Sequence, residues 1–100
     1  MVKLTILYRT PANAGAFEDW YVGNLALMER LPGIRRRQAN VVLGSPGGKS
    51  PYLRILELYF DAFADLDRAM VSPEGRAAGA DLVKFMGKDA DMIFSEVYEE

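Results

Sequence analysis

Two polar side chains stand out because each lies among apolar neighbours. Asn24 falls in the middle of an apolar stripe at helical spacing, and a buried amide costs about 1–3 kcal/mol if it stays unpaired. Glu57 alternates with Ile55 and Tyr59 along a predicted strand, and a carboxylate in such surroundings is a candidate general base. Asn24 and Glu57 are therefore the candidate catalytic residues.

Both residues also have a purely structural interpretation. The Asn24 amide can be satisfied by backbone groups or by another side chain instead of a ligand. Glu57 can form an ion pair across the sheet with Lys3, Arg37 or Arg54. The residue types and their spacing leave both interpretations open.

Aromatic side chains extend the candidate site. Tyr8, Tyr21 and Tyr59 can donate hydrogen bonds to a bound carbonyl or phenol, and Trp20 beside Tyr21 can form the wall of an aromatic pocket. The expected ligand-binding residues are thus Tyr8, Trp20, Tyr21, Asn24 and Tyr59. Tyrosine and tryptophan also serve as amphipathic core residues, so simple packing is the alternative.

The composition excludes several kinds of chemistry. The chain of 100 residues contains no histidine and no cysteine, so it cannot form a Ser-His-Asp triad, a histidine-ligated haem, or a zinc site with histidine or cysteine ligands. We therefore expect no metal and no cofactor held by this chain alone. The lack of cysteine also suits a cytoplasmic location.

Charge and hydropathy argue against two classes of partner. The net charge is −2, whereas binding to nucleic acid usually requires a basic face. The one basic run, 35–37, is expected to be a solvated strand end with Arg36 on the opposite face from its neighbours. No apolar run approaches the roughly 20 residues of a membrane span, so we expect neither nucleic acid nor membrane as a partner.

Hydrophobic periodicity predicts the element order β-α-β-β-α-β. A first helix follows an Asn13 cap and extends to about Arg30, and a second helical region follows an Asp61 cap, restarts at Ser72 and stops at Gly87. The segment 44–51 is rich in glycine and proline and predicts a flexible loop. The predicted strands are 2–8, 34–43, 52–60 and 92–98.

This order predicts a ferredoxin-like α+β fold, in which a four-stranded antiparallel sheet carries two helices on one face. Residues 1–100 are expected to form a single domain. The predicted strand 52–60 is largely apolar on both faces, yet two helices can cover only one of them. We therefore expect a second copy of the chain to cover the other face, giving a homodimer.

Five segments, taken in their order and spacing, resemble the EthD family. They are 2–8 (VKLTILY), Trp20-Tyr21, Leu31-Pro32-Gly33, 57–61 (ELYFD) and 72–75 (SPEG). The resemblance implies a dimeric α/β barrel made from two sheets packed face to face. The family is named for a small protein associated with bacterial degradation of an alkyl ether by a cytochrome monooxygenase system. Relatives with the same barrel include polyketide cyclases, muconolactone isomerases, cofactor-free monooxygenases and haem proteins.

One departure from the family pattern affects the expected function. Many relatives carry a histidine in the first helix, and the corresponding position here falls at or beside Asn24, which does not exchange protons near neutral pH. Two hypotheses follow. The chain is either a small-molecule catabolic or auxiliary protein with a pocket between sheet and helices, or a non-catalytic dimeric module that binds a ligand or partner and has lost the histidine-based chemistry.

Overall fold

Four strands form one antiparallel sheet in the computed structural model, which describes residues 1–99. Their order across the sheet is β2-β3-β1-β4, with the first and third strands in the centre. This order, combined with helices on one side, is the ferredoxin-like arrangement and confirms the predicted α+β class. The strands are β1 (Val2–Arg9), β2 (Arg36–Val41), β3 (Tyr52–Phe60) and β4 (Ala90–Glu96).

The connections form α1 (Ala14–Met28), α2 (Phe63–Val71) and α3 (Pro73–Met86). The predicted cap of α1 is confirmed, because the Asn13 side chain accepts a hydrogen bond from the Ala16 amide at 3.0 Å. Within residues 1–99, none of the helices has both the length and the apolar character needed to cross a membrane.

The second helical region has the predicted restart at Ser72 but differs from the prediction at its start. It is divided into two separate helices, because Pro73 has no N–H to continue α2, and the Ser72 hydroxyl caps α3 by accepting from the Gly75 amide at 3.0 Å. The sheet therefore carries three helices rather than two. The predicted Asp61 cap is wrong: α2 begins after Ala62 without a side-chain cap.

One face of the sheet packs against the helices and forms the core. Alternate residues of β1 point into this layer, as the period of a strand requires, and so do alternate residues of β3. The helices contribute apolar side chains from the other side. The largest fully buried residues of this core include Leu4, Ile6, Tyr8, Phe17, Met28, Leu56, Leu58, Phe60, Leu66 and Leu82.

The opposite face, called the open face here, is not covered by any helix of residues 1–99. It carries Leu7 and Ile55 as a directly paired apolar couple at its centre. Neighbouring positions hold the charged side chains of Lys3, Glu57 and Arg36. The open face is therefore more polar than β3 by itself predicts, because the adjacent strands contribute charges.

Gly75 offers a test of how closely α2 and α3 pack. A Cβ atom at this position would lie 2.1 Å from the Ala69 carbonyl oxygen and 2.7 Å from that of Met70. We expect Gly75→Ala to lower the free energy of unfolding by about 3 kcal/mol, because backbone has to move. Gly79 in the same helix has nothing within 4 Å of its added Cβ, so Gly79→Ala should raise stability by about 1 kcal/mol. Urea denaturation of both variants measures these changes. Equal changes in the free energy of unfolding would contradict the close packing of α2 against α3 at Gly75.

Candidate functional site

The sheet separates the predicted site residues into two groups. Tyr8 lies on the helix-covered side of β1 and is fully buried together with Asn24. Glu57 and Tyr59 lie on the open face, opposite Thr5 and Lys3 of β1. One small ligand cannot contact both groups, so the structure contains two distinct candidate sites rather than a single pocket.

The helix-side group is built around a cluster of aromatic rings, called the aromatic cluster here. Tyr8 contacts the rings of Phe17, Trp20 and Tyr21 edge to face, with ring centroids 6.0, 6.3 and 5.3 Å away. Phe85 of α3 stacks on Trp20 at 4.6 Å with the planes nearly parallel. Such pairs stabilise beyond the area they bury, so the cluster joins α1, α3 and β1.

Asn24 is held in this layer by α3. Its amide nitrogen donates to the Ala78 carbonyl oxygen at 3.2 Å and to Oδ2 of Asp81 at 2.9 Å. The same carboxylate oxygen accepts a hydrogen bond from the Trp20 indole N–H at 3.0 Å. Asp81 therefore fixes two of the predicted site residues at once.

Several polar atoms in this layer are buried yet have no hydrogen-bond partner within residues 1–99. They include the Tyr8 hydroxyl and Oδ1 of Asn24, whereas the Tyr21 hydroxyl lies within reach of the Arg54 guanidinium. Burial raises the pKa of Tyr8, and it also raises that of Tyr21 although nearby Arg54 opposes the shift. Both phenols therefore remain neutral hydrogen-bond donors at physiological pH.

Arg54 of β3 lies next to Tyr8 of β1 on the helix-covered side of the sheet. Its guanidinium lies over the Tyr21 ring, 4.6 Å from the centroid, and donates to both carboxylate oxygens of Glu18 at 2.8 and 3.0 Å. Both bonds start from Nη2 of Arg54, and this ion pair connects β3 to α1. Its positive charge is thus balanced beside the aromatic cluster.

On the open face, Glu57 is an ion-pair partner. Its Oε2 lies 2.5 Å from the Lys3 ammonium, and its Oε1 accepts from the Asn40 side-chain amide at 3.2 Å. The hydrogen bond to Glu57 raises the pKa of Lys3, against the opposing effect of burial. Tyr59 donates to Gln38 at 3.0 Å.

The basic run divides between the two faces, as strand geometry predicts. Arg36 lies over the Tyr59 ring on the open face, 5.4 Å from its centroid. Arg35 pairs with Asp61 at 3.4 Å, and Arg37 pairs with Glu29 at 3.1 Å. All three are exposed, and two of the three charges are balanced by carboxylates.

A cleft lies on the seam between α1 and α3, one helical turn from Asn24. It has a volume of about 260 Å³ and is lined by Leu27, Arg30, Pro73, Glu74 and Ala77. Leu27 follows Asn24 by three positions on α1, and Ala77 directly precedes the carbonyl partner of Asn24. None of the predicted site residues lines this cleft, which is formed by chain neighbours of Asn24 and Ala78.

Asp81 was missed by sequence reasoning. It falls between Ala78 and Leu82, which are both buried, so helical spacing places a carboxylate near the face of α3 that meets α1. What the pattern could not give was its pairing with Asn24 and Trp20, which depends on how the two helices align.

Comparison with known proteins places these features in a family. The family model described as EthD domain matches residues 10–89. The uncharacterized 11.0 kDa protein of the thcB-thcC intergenic region of Rhodococcus erythropolis is 30% identical over 97 residues, covering 96% of this chain and 94% of that protein.

Two solved structures have the same fold over nearly the whole chain. An ethyl tert-butyl ether d (EthD) family protein from Bacillus halodurans is 35% identical, with a TM-score of 0.93 and coverage of 98% of this chain and 99% of the other. A protein from Jannaschia, described as a dimeric ferredoxin-like protein of unknown function, is 20% identical, with a TM-score of 0.76 and coverage of 97% and 100%.

The unpartnered Tyr8 hydroxyl leads to a prediction about stability. Tyr8→Phe removes a buried polar group that has no partner and retains the ring contacts, so we expect the free energy of unfolding to rise by about 1 kcal/mol at neutral pH. Chemical denaturation measures this. A loss of stability of similar size would show that the hydroxyl is hydrogen-bonded in the folded protein.

Tyr8→Phe should also change how the free energy of unfolding depends on pH under alkaline conditions. The pKa of Tyr8 is raised in the folded state. The contribution of the neutral Tyr8 side chain to the free energy of unfolding is therefore fully present below the ordinary tyrosine pKa of about 10, and it is lost as the pH rises above that value. Above that pH the loss approaches about 1.4 kcal/mol per pH unit for one such tyrosine. Tyr8→Phe should show a shallower decline.

Proposed function

The chain belongs to the EthD family, and from that premise we propose that it is a homodimeric small-molecule protein of oxidative catabolism. In this proposal residues 1–100 act as one domain, two open faces pack together as a barrel, and an organic ligand binds between α1, α3 and the sheet. A cytoplasmic location, which the absence of cysteine favours, is part of the proposal.

The dimer is supported by the composition of the open face. Leu7 and Ile55 form its apolar centre, and Ile93 of β4, which is half exposed, lies on the same face opposite Thr5. At one end Arg9 pairs with Asp91 at 3.0 Å. A face that carries both signs of charge around an apolar centre can be self-complementary under two-fold symmetry.

Two apolar side chains are also exposed at the end of the edge strand β2, although Val41 is in register with Arg54 and therefore points to the helix side of the sheet. Leu43, just beyond β2, is fully exposed, and Val41 is largely exposed. Large apolar side chains at the end of an edge strand are commonly covered by a partner. The structural relative from Jannaschia is itself described as dimeric, which favours a second copy as this partner.

The observation that carries the ligand proposal is the group of unpartnered polar atoms beside the aromatic cluster. Buried hydroxyls and amide oxygens nearly always have partners, and here Tyr8 and Asn24 each present one without a partner within residues 1–99. A small organic molecule with oxygen functions would satisfy them while its carbon skeleton contacts the rings. Trp20, fixed by Asp81, forms the outer wall.

The catalytic roles proposed for Asn24 and Glu57 apply to different sites. Asn24 would orient a ligand on the helix side, whereas Glu57 would act only on a molecule held between the two open faces. Glu57 is engaged by Lys3 at 2.5 Å and by Asn40, so proton abstraction there would first require this pair to separate.

A non-catalytic ligand-binding module is the second candidate. It is favoured by the hydrogen bonding of the carboxylate nearest to Asn24, because Oδ2 of Asp81 already accepts from both Asn24 and Trp20. A carboxylate committed in this way holds side chains in position and is poorly suited to accept a proton from a ligand.

A thermal-shift series with small aromatic and hydroxylated compounds tests the proposal. A ligand at 100 times its dissociation constant should stabilise the protein by about 2.7 kcal/mol, and Asn24→Leu should remove most of that gain. Asn40→Ala, on the open face, is the matched control and should retain it. If Asn24→Leu changes stability but not the ligand-dependent shift, Asn24 is structural. If no compound shifts the wild-type protein, the ligand proposal fails.

A further inference from the structure

We infer that the dimer has a specific contact outside the two open faces, in which Leu43 of one copy lies in an apolar cleft beside β4 of the other copy. This inference rests on the proposed dimer and names the residues that close its barrel. It depends on three features: the exposure of Leu43, a cleft formed by Phe63 and Phe94, and charges of opposite sign beside the two.

Leu43 is a fully exposed apolar side chain on a backbone that is held on both sides. Just before it, the Val42 N–H donates to the Leu53 carbonyl oxygen at 2.9 Å. Just after it, Ser45 and Gly48 exchange two backbone hydrogen bonds of 2.8 and 2.9 Å. Leu43 is therefore held away from the core of its own chain, and covering it requires another surface.

A cleft at the β4 edge of the sheet provides such a surface. It has a volume of about 290 Å³ and is lined by Val2, Phe63, Phe94, Ser95 and Glu96. The rings of Phe63 and Phe94 meet edge to face with their centroids 5.8 Å apart, and both side chains are half exposed. A leucine side chain is small enough to enter this cleft and would remove apolar surface of both rings from water.

The two edge strands of the sheet, β2 and β4, carry the leucine and the cleft. When a two-fold axis packs two open faces into a barrel, β2 of one copy lies beside β4 of the other, and the helix sides of both sheets face outward. Val41 is in register with Arg54 on the helix side, and Leu43 continues this side two residues later. Phe94 pairs with the core residue Leu4 and therefore also points to the helix side. Leu43 and Phe94 thus reach the same outer surface where the two copies meet.

The tilt of strands in a barrel would bring the right ends of these strands together. Leu43 follows the C-terminal end of β2, whereas the cleft lies at the Val2 end of β1, so the two occupy diagonally opposite corners of one sheet. Barrel strands are tilted by about 35–45° to the axis, in the sense set by their right-handed twist. Strands of the two facing sheets therefore cross steeply, and diagonally opposite corners of the two copies meet.

Charges beside the leucine and the cleft are complementary. Lys49 lies in the loop after Leu43 and lines the same surface recess as that residue. Glu96 lines the cleft itself. Neither Lys49 nor Glu96 forms an ion pair within residues 1–99. A second copy would supply each charge with its opposite, and two-fold symmetry would form the pair twice.

Substitutions at the surface test the contact through the dissociation constant of the dimer. Leu43→Ala should raise this constant at least about tenfold, because the side chain is lost from two clefts. Val22→Ala, at an exposed position of α1, is the matched control and should leave it unchanged. Lys49→Glu should also weaken the dimer, and combining it with Glu96→Lys should restore most of the loss. An unchanged constant for Leu43→Ala, or no recovery in the double variant, would overturn the inference.

A dimer of one isotope-labelled and one unlabelled copy tests the contact without any substitution. Isotope-filtered nuclear Overhauser spectra of this sample detect only contacts between the copies. We expect signals that connect the Leu43 methyl groups of one copy with the ring protons of Phe63 and Phe94 of the other. A particle with the mass of a dimer that lacks these signals would overturn the inference but leave the proposed dimer in place. A monomer would contradict both.

Discussion

The structure depends on the fact that its helices cover only one face of the sheet. A β-strand sends alternate side chains to opposite faces, and β1 and β3 bury one set of these residues beneath α1, α2 and α3. The molecule measures 35 × 35 × 19 Å, the thickness of one sheet and one helix layer. The two faces of the same strands thus meet two different environments, and each environment determines what its polar residues do.

On the covered face, polar groups are few and constrained by packing. Asn24 is accommodated in the buried layer because its amide protons have acceptors on α3, whereas its oxygen has no donor within residues 1–99. On the open face, Glu57 and Lys3 satisfy each other. A pair like this tolerates burial by a partner subunit better than a single charge does, because each ion remains compensated. The same chain therefore combines a candidate ligand site with a candidate dimer surface.

Much of the fold follows from local patterns, whereas the site does not. The bounds of β3 agree with the predicted strand at both ends, because a run of mostly apolar and aromatic residues lies between Pro51 and Asp61. The position of Asn13 before an apolar stripe predicts a helix cap, and its side chain accepts from the Ala16 amide as expected. Asp61 has the same chemistry but pairs with Arg35 instead, since the chain turns into α2 one residue later. Asn13 caps a helix and Asp61 does not because their tertiary surroundings differ, although both residue types can cap.

The environment of the site residues likewise depends on tertiary packing, which local sequence patterns do not reveal. Alternation alone places Glu57 on the opposite face from Leu56 and Leu58. Which of these faces Asn24 meets depends on where the helices lie, and its contact with Asp81 joins positions 57 residues apart. Sequence periodicity can mark a polar residue as buried, but its partner is set by the alignment of two helices.

The most direct test of this account is the molar mass of the unmodified protein in solution. Light scattering at micromolar concentration should give twice the chain mass of 11.1 kDa, because the open face then packs against a second copy. Ile55→Lys, at the centre of that face, should reduce the mass to that of one chain, whereas Val22→Lys on the exposed side of α1 should not. A stable wild-type particle of 11.1 kDa would contradict the central claim.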